Sequence, residues 1–247
     1  MPEAFKEAEE ARRTIERRRP HWIDPNPSLG VWHVLKNDWE VGWWHRASAE
    51  PEAEAMRIGD LEGNRMQLAR AQAAFNRGQA RQASLSFDNL TFDAQSRPAG
   101  WVPGWWDGKP VEPWRLQFAG VLLDALERPR SAYGDWLGPW LGKVTIDDED
   151  WYKLWLREVT KDEMPLAWLR WAFAHVQATR KTSNGAPVDN QIATYLPECD
   201  VFVTADKIFV ECVDKVRPHC PVPLGRAARV PANSDAVDAV VEVLKGM

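Results

Sequence analysis

Two aspartates flank a short apolar run in the C-terminal third of the chain, and their positions could support chemistry. Residues 183–207 read SNGAPVDNQIATYLPECDVFVTADK, with Asp189 before the apolar run and Asp206 just after it. Carboxylate oxygens are ligands that Mg²⁺ and Mn²⁺ prefer, and such ions often keep several waters on few protein ligands. If the two aspartates converge, they form a candidate cation site.

Turn signals and apolar spacing predict the elements that position these aspartates. Pro187 suits the first turn of a helix, and Pro197 ends that helix because proline cannot continue the hydrogen-bond ladder. The apolar run 201–204 predicts a strand buried on both faces, and Thr204 is expected to cap the helix that follows. Ligands gather at the carboxyl ends of strands in open α/β sheets, so Asp189 and Asp206 are expected to converge there.

The order of an acid opening a helix, a strand, and a Thr-x-Asp turn resembles the C-terminal half of a PIN-like nuclease domain. The resemblance covers roughly residues 165 to 230 and rests on Asp189 and on Thr204-Ala205-Asp206. It implies a metal-dependent endoribonuclease, a hydrolase of the toxin–antitoxin type that uses Mg²⁺ or Mn²⁺. It also implies that Asp189 and Asp206 are metal ligands and catalytic residues, with Thr204 as a catalytic residue that supports the site.

Basic residues stand close in sequence to both aspartates. Arg180 and Lys181 precede the Asp189 turn, and Lys207 follows Asp206. The resemblance implies an RNA substrate, and these three side chains are expected to contact its phosphates. An antitoxin-like or other protein partner is a further expectation of the same resemblance.

The start of the chain departs from the PIN-like pattern, in which the first acid ends an N-terminal hydrophobic strand. A charged helix is predicted from Pro2 to about Arg19, and Asp24 follows only two apolar residues, which indicates a turn. Two hypotheses explain this departure. The chain is the later part of such a nuclease, or it is a degenerate copy of one. The competing hypothesis is a non-catalytic helical protein-interaction module, in which Asp189 and Asp206 are ordinary acids at helix starts.

Composition limits the class of protein. The net charge of −5 argues against a protein whose whole surface binds nucleic acid. Three cysteines without a CxxC pair argue against a disulfide framework and favour the cytoplasm. No apolar run approaches the length of a membrane span, and the charged N-terminus does not resemble a signal peptide. A cytoplasmic protein without a membrane partner is therefore expected.

The chain as a whole is predicted to be α/β, mostly helical, with a small parallel sheet in the C-terminal PIN-like portion. The predicted domains are a helical, tryptophan-rich region over 1–160 and the PIN-like portion over 161–247. Fifteen tryptophans stand against three tyrosines, and most are expected in the core because aromatic side chains mainly provide buried area. A long helix or helix pair is predicted over 50–82, with Met56 and Phe75 among its buried residues. His175 is expected to be a hydrogen-bonded core histidine, and a second strand is expected through Val222 and Leu224.

Overall fold

The computed structural model describes residues 2–29, 41–92, 109–127, 132–141, 147–180, 186–233 and 235–246. These residues form a mostly helical α/β structure with a small parallel sheet of two strands, which confirms the predicted fold class. The chain divides into two compact units, residues 1–71 with 94–164 and residues 72–93 with 165–247. The predicted domains 1–160 and 161–247 remain a prediction. Within the described ranges, no helix combines the length and apolarity needed to cross a membrane.

Helices make up most of the first unit. Those that the structure describes are α1 (Pro2–Arg18), α2 (Trp43–Ala49), α3 (Pro51–Gln82), α4 (Pro113–Glu127), α5 (Ala132–Leu141) and α6 (Asp148–Lys153), with α3 passing into the second unit at Gln72. The chain continues from α6 as a π-helical turn, Leu154–Glu158. In α1, Ala8, Ala11 and Ile15 are buried and recur at three- and four-residue spacing, which gives the helix an apolar side that packs near α5.

Tryptophans pack together in the core of the first unit, as the sequence predicts. Trp22 stacks on Trp151 with ring centroids 5.9 Å apart, and Trp151 meets Trp155 edge-on at 5.6 Å. Phe118 completes the cluster at 5.2 Å from Trp155. All four side chains are at most 4% exposed. Such pairs add to the stability that burial alone provides.

Arg19, just after α1, ties this helix to α6 and the π-helical turn. Its guanidinium donates to the carboxylates of Asp150 and Glu158, with a nearest N–O distance of 2.8 Å to each. These contacts hold the pKa of both carboxyls below their ordinary values, chiefly through the hydrogen bonds from Arg19. The arginine side chain is only 14% exposed, so water screens these ion pairs less than it screens pairs on an open surface.

The predicted long helix is confirmed as α3, but the side chains expected to be buried are not. Met56 is 73% exposed and Phe75 is 62% exposed. The spacing of apolar residues along this segment was a weak guide because polar residues and glycines interrupt it throughout. Helix α3 nevertheless runs without a break from Pro51 to Gln82.

The second unit contains the sheet. Its described elements beyond the end of α3 are α7 (Pro165–Ala178), α8 (Ala186–Ala193), β1 (Val201–Thr204), α9 (Lys207–Val216), β2 (Arg226–Arg229) and α10 (Ala236–Lys245). The strands β1 and β2 are parallel, with Val201 opposite Arg226 and Thr204 opposite Arg229. Strand β1 lies where it was predicted but is half-buried along its length, so the expectation of burial on both faces was wrong. The second strand was also misplaced, because it begins two residues after Leu224.

Helix α7 supplies the core of the second unit and packs near α8 and α9. Trp168, Phe173 and Val176 are at most 1% exposed, and Phe173 meets Phe209 of α9 at 5.6 Å. On the same helix, His175 Nε2 lies 3.2 Å from the carbonyl oxygen of Thr91. Burial lowers the pKa of this histidine. The structure thus confirms the predicted hydrogen bond, whereas the expected core position was wrong because His175 is only half-buried.

Candidate functional site

Asp206 lies directly after the carboxyl end of β1, where its side chain caps α9. Oδ1 accepts the backbone N–H groups of Ile208 at 2.7 Å and Phe209 at 3.2 Å. Thr204 was expected to be the cap, and that prediction was wrong by two residues. Thr204 Oγ1 instead accepts the N–H of Asp206 at 3.1 Å. Threonine therefore orients the turn that presents the aspartate, and the aspartate caps the helix.

Asp189 lies in the first turn of α8, as predicted, and is half-buried. Its Oδ2 accepts a hydrogen bond from Nε2 of Gln177, a residue of α7, at 3.4 Å. Gln177 itself is only 6% exposed. The donor to this carboxylate is thus an uncharged amide. Gln177 therefore does not neutralise the negative charge of Asp189.

The negative charge of Asp206 acts on the carboxyl of Asp189. Burial raises the pKa of the Asp189 carboxyl from 3.8 to about 6, and the negative charge of Asp206 is the second cause. A like charge disfavours ionisation only when it lies close by. The charge of Asp206 therefore reaches Asp189, and the convergence of the two carboxylates on one ion stays a prediction.

The thiol of Cys212, on α9, gives a second indication of where these charges lie. Burial raises its pKa to about 12; Arg180 opposes this rise, while the carboxylates of Asp189, Asp206 and Glu211 add to it. Cys212 is fully buried and lies about one and a half turns after Asp206 on the same helix. Asp206 caps α9 and Arg180 pairs with Glu211 on the same helix, so both groups lie at the N-terminal half of α9.

The basic side chains expected to contact RNA are partly engaged within the protein. Arg180 forms an ion pair with Glu211 at 2.5 Å, and its guanidinium carbon lies 3.8 Å from the centroid of the Phe87 ring. Lys207 reaches the same Glu211 at 3.5 Å, but its side chain remains 68% exposed. Lys181 lies outside the described residues. Of the three, Lys207 therefore presents the most accessible charge in the part of the chain that is described.

Three residues of this region were not predicted from the sequence to belong to the candidate site. Glu211 could have been found from its spacing, since Lys207 and Glu211 are four residues apart on a helix and such pairs interact. Gln177 gave a weaker signal, as a single amide in the largely apolar sequence of α7. Phe87 gave none, because nothing local connects its loop to Arg180.

The donors present suit a hard divalent cation in kind, although their number is small. Both aspartates offer carboxylate oxygens, and the buried Oδ1 of Asn190, next to Asp189, has no hydrogen-bond partner among the described residues. Within the described part of the chain, no group of three or more His, Cys, Asp or Glu side chains could hold a metal ion. Mg²⁺ commonly binds through one or two carboxylates and keeps several waters, so an oxygen-only pair fits this class of ion.

Comparison with protein-family models, with curated proteins and with solved structures finds no match for this chain. Function is therefore inferred from the acid pair and from the elements that position it.

Proposed function

We propose that this chain is a metal-dependent endoribonuclease of the PIN-like type, in which Asp189 and Asp206 hold a Mg²⁺ or Mn²⁺ ion. The observation that carries the proposal is that the charge of Asp206, directly after the carboxyl end of β1, adds to burial in raising the pKa of the Asp189 carboxyl. Placing like charges together costs free energy, and a divalent cation would offset that cost. Thr204 supports the site because its hydroxyl orients the backbone of Asp206.

Each residue has a defined role in this proposal. When bound, such an ion lowers the pKa of a water ligand and offsets charge that develops on the phosphate. Asp206 offers Oδ2, since its two capping bonds use Oδ1. Asp189 is mostly ionised at neutral pH, because its pKa is about 6. Lys207 is exposed and contacts the RNA backbone, whereas Arg180 would have to exchange Glu211 for a phosphate.

The test is cleavage of a labelled single-stranded RNA by the purified chain with Mn²⁺ or Mg²⁺. We expect cleavage that EDTA abolishes and that falls by about 100-fold or more in Asp189→Asn and in Asp206→Asn, since even residues that merely support metal ligands contribute 10–100-fold. Asparagine caps helices about as well as aspartate, so Asp206→Asn removes the charge while keeping the cap of α9.

Asp214→Asn is the matched control, because Asp214 is an exposed acid on the same helix. This variant should cleave RNA at the wild-type rate. If Asp206→Asn also cleaves at the wild-type rate, the chain's proposed catalytic site is wrong.

The competing hypothesis, a non-catalytic helical protein-interaction module, has one observation in its favour. On α10, Val237, Val241 and Leu244 share a face and are 73%, 41% and 54% exposed. Exposed apolar surface of this kind often marks a contact with a protein partner, an antitoxin-like one included. A wild-type chain that neither cleaves RNA nor binds Mn²⁺ would favour this hypothesis over the nuclease.

A further inference from the structure

Gln177 is one of the few buried polar side chains in the described part of the chain. It lies on α7 directly after Val176, which is fully buried, and four residues after Phe173, which is also fully buried. An amide in such surroundings is costly unless it is hydrogen-bonded. The amide of Gln177 donates from Nε2 to Asp189 Oδ2, so its burial is linked to the presence of the carboxylate.

We infer that Gln177 is the positioning residue of the acid pair, holding the carboxylate of Asp189 in place for a divalent cation shared with Asp206. This inference rests on the proposed function. The hydrogen bond occupies Oδ2 of Asp189 and leaves Oδ1 outside that bond. Gln177 does not touch the ion in this assignment, but acts through the orientation of Asp189.

The chemical type of the donor supports this role. An arginine or lysine in place of Gln177 would pair with Asp189 and cancel the charge that attracts a cation. A neutral amide fixes the carboxylate and leaves its charge intact. The nearest arginine along the chain, Arg180, is instead paired with Glu211 at 2.5 Å. The arrangement thus holds Asp189 and Arg180, nine residues apart on the chain, in separate pairings.

A purely structural role for Gln177, as a link between α7 and α8, makes a different prediction. Loss of a structural link would lower the melting temperature and leave cation affinity unchanged in the protein that remains folded. Loss of a positioning residue would weaken cation binding in a protein that melts near the wild-type temperature. Ligand-supporting residues of this kind typically contribute 10–100-fold to metal affinity.

The experiment measures Mn²⁺ binding to the full chain by electron paramagnetic resonance, with the melting temperature recorded for each variant. Gln177→Met removes the donor and keeps an unbranched side chain of similar length. We expect its affinity for Mn²⁺ to fall about 10–100-fold. Thr194→Val is the matched control, since Thr194 is a buried polar residue directly after α8 that has no role in the proposed site. It should bind Mn²⁺ as the wild type does.

A measurement on the wild-type chain keeps the inference testable if Gln177→Met does not fold. In a Mg²⁺ titration followed by NMR, the side-chain amide signals of Gln177 should shift together with the carboxyl carbon of Asp189. An Asp189 signal that moves while the Gln177 amide stays unchanged would overturn the assignment. Equal losses of Mn²⁺ affinity in Gln177→Met and Thr194→Val would overturn it too.

The outcomes separate this inference from the proposed function. A wild-type chain that binds no Mn²⁺ removes the proposed metal site and this inference with it. A wild-type chain that binds Mn²⁺, with Gln177→Met binding equally well, removes the role of Gln177 alone.

Discussion

At the scale of single residues, Asp189 bears the electrostatic cost of the acid pair. Its folded-state pKa of about 6 lies above the ordinary value of 3.8. Between these values the folded protein binds a proton that the unfolded chain has released, so the free energy of unfolding falls as the pH rises. Above the folded-state pKa the whole cost of the buried charge is present.

Asp189→Asn should therefore stabilise the protein in the absence of divalent ions, because asparagine has no charge to bury. We expect the free energy of unfolding to rise by about 1 kcal/mol near pH 7, less than the full pKa shift would give, since solvent screens a half-buried carboxyl. Near pH 4 most of this gain should disappear, because the folded wild type is then protonated at Asp189. Urea unfolding at the two pH values measures the difference. A gain of the same size at both would contradict the assigned pKa.

At the scale of elements, Gly225, directly before β2, lies close against the backbone of Cys199. A Cβ atom on Gly225 would lie 2.3 Å from the carbonyl oxygen of Cys199. The N–H of Gly225 also donates to the carbonyl of Leu196 at 2.8 Å, so this backbone is held from two sides. Glycine at such a position allows one backbone to approach another closely.

Gly225→Ala should destabilise the second unit, because one of the two backbones must move to admit the methyl group. We expect a loss of about 1–3 kcal/mol in the free energy of unfolding, the range typical of overpacked sites. Gly78→Ala is the control, since a Cβ on Gly78 meets no atom within 4 Å. Alanine at this position of α3 should stabilise the helix by up to about 1 kcal/mol. Urea unfolding in which both variants shift stability in the same direction would contradict this account.

The sequence predicted some of these elements better than others. Strand β1 was predicted where it lies because an unbroken apolar run is a local signal. The cap of α9 was assigned to Thr204, although the structure gives it to Asp206. Both residue types cap helices, and their order along the chain does not determine which one does. For β2 the sequence RAAR carries no apolar alternation, and the strand forms because its backbone pairs with β1.

At the scale of the whole molecule, the chain has two units with separate cores. The first is built around a cluster of tryptophans and the ion pairs of Arg19, and the second around α7 and the sheet. Regions of one protein can open with different free energies when their cores are separate. Substitution of Arg19 should therefore affect the first unit, and substitution of Asp189 should affect the second.

Arg19→Met should loosen the first unit and leave the second unchanged. The expected cost is about 2 kcal/mol, between the small value of exposed ion pairs and the 3–5 kcal/mol of fully buried ones. Hydrogen exchange followed by mass spectrometry should show faster exchange in 2–18 and 148–158, with 201–216 exchanging as in the wild type. Equal acceleration in all three segments would mean that the two units open together.

Local patterns in the sequence predicted most of the helices, strand β1, and the placement of Asp189 and Asp206 at the ends of their elements. These features depend on neighbours a few residues apart, where the spacing of apolar residues and the position of proline act directly. The contacts of Gln177 with Asp189 and of Arg180 with Glu211, by contrast, follow from tertiary packing. The members of each pair lie on different elements, so their contact depends on how the helices pack, which no local pattern records.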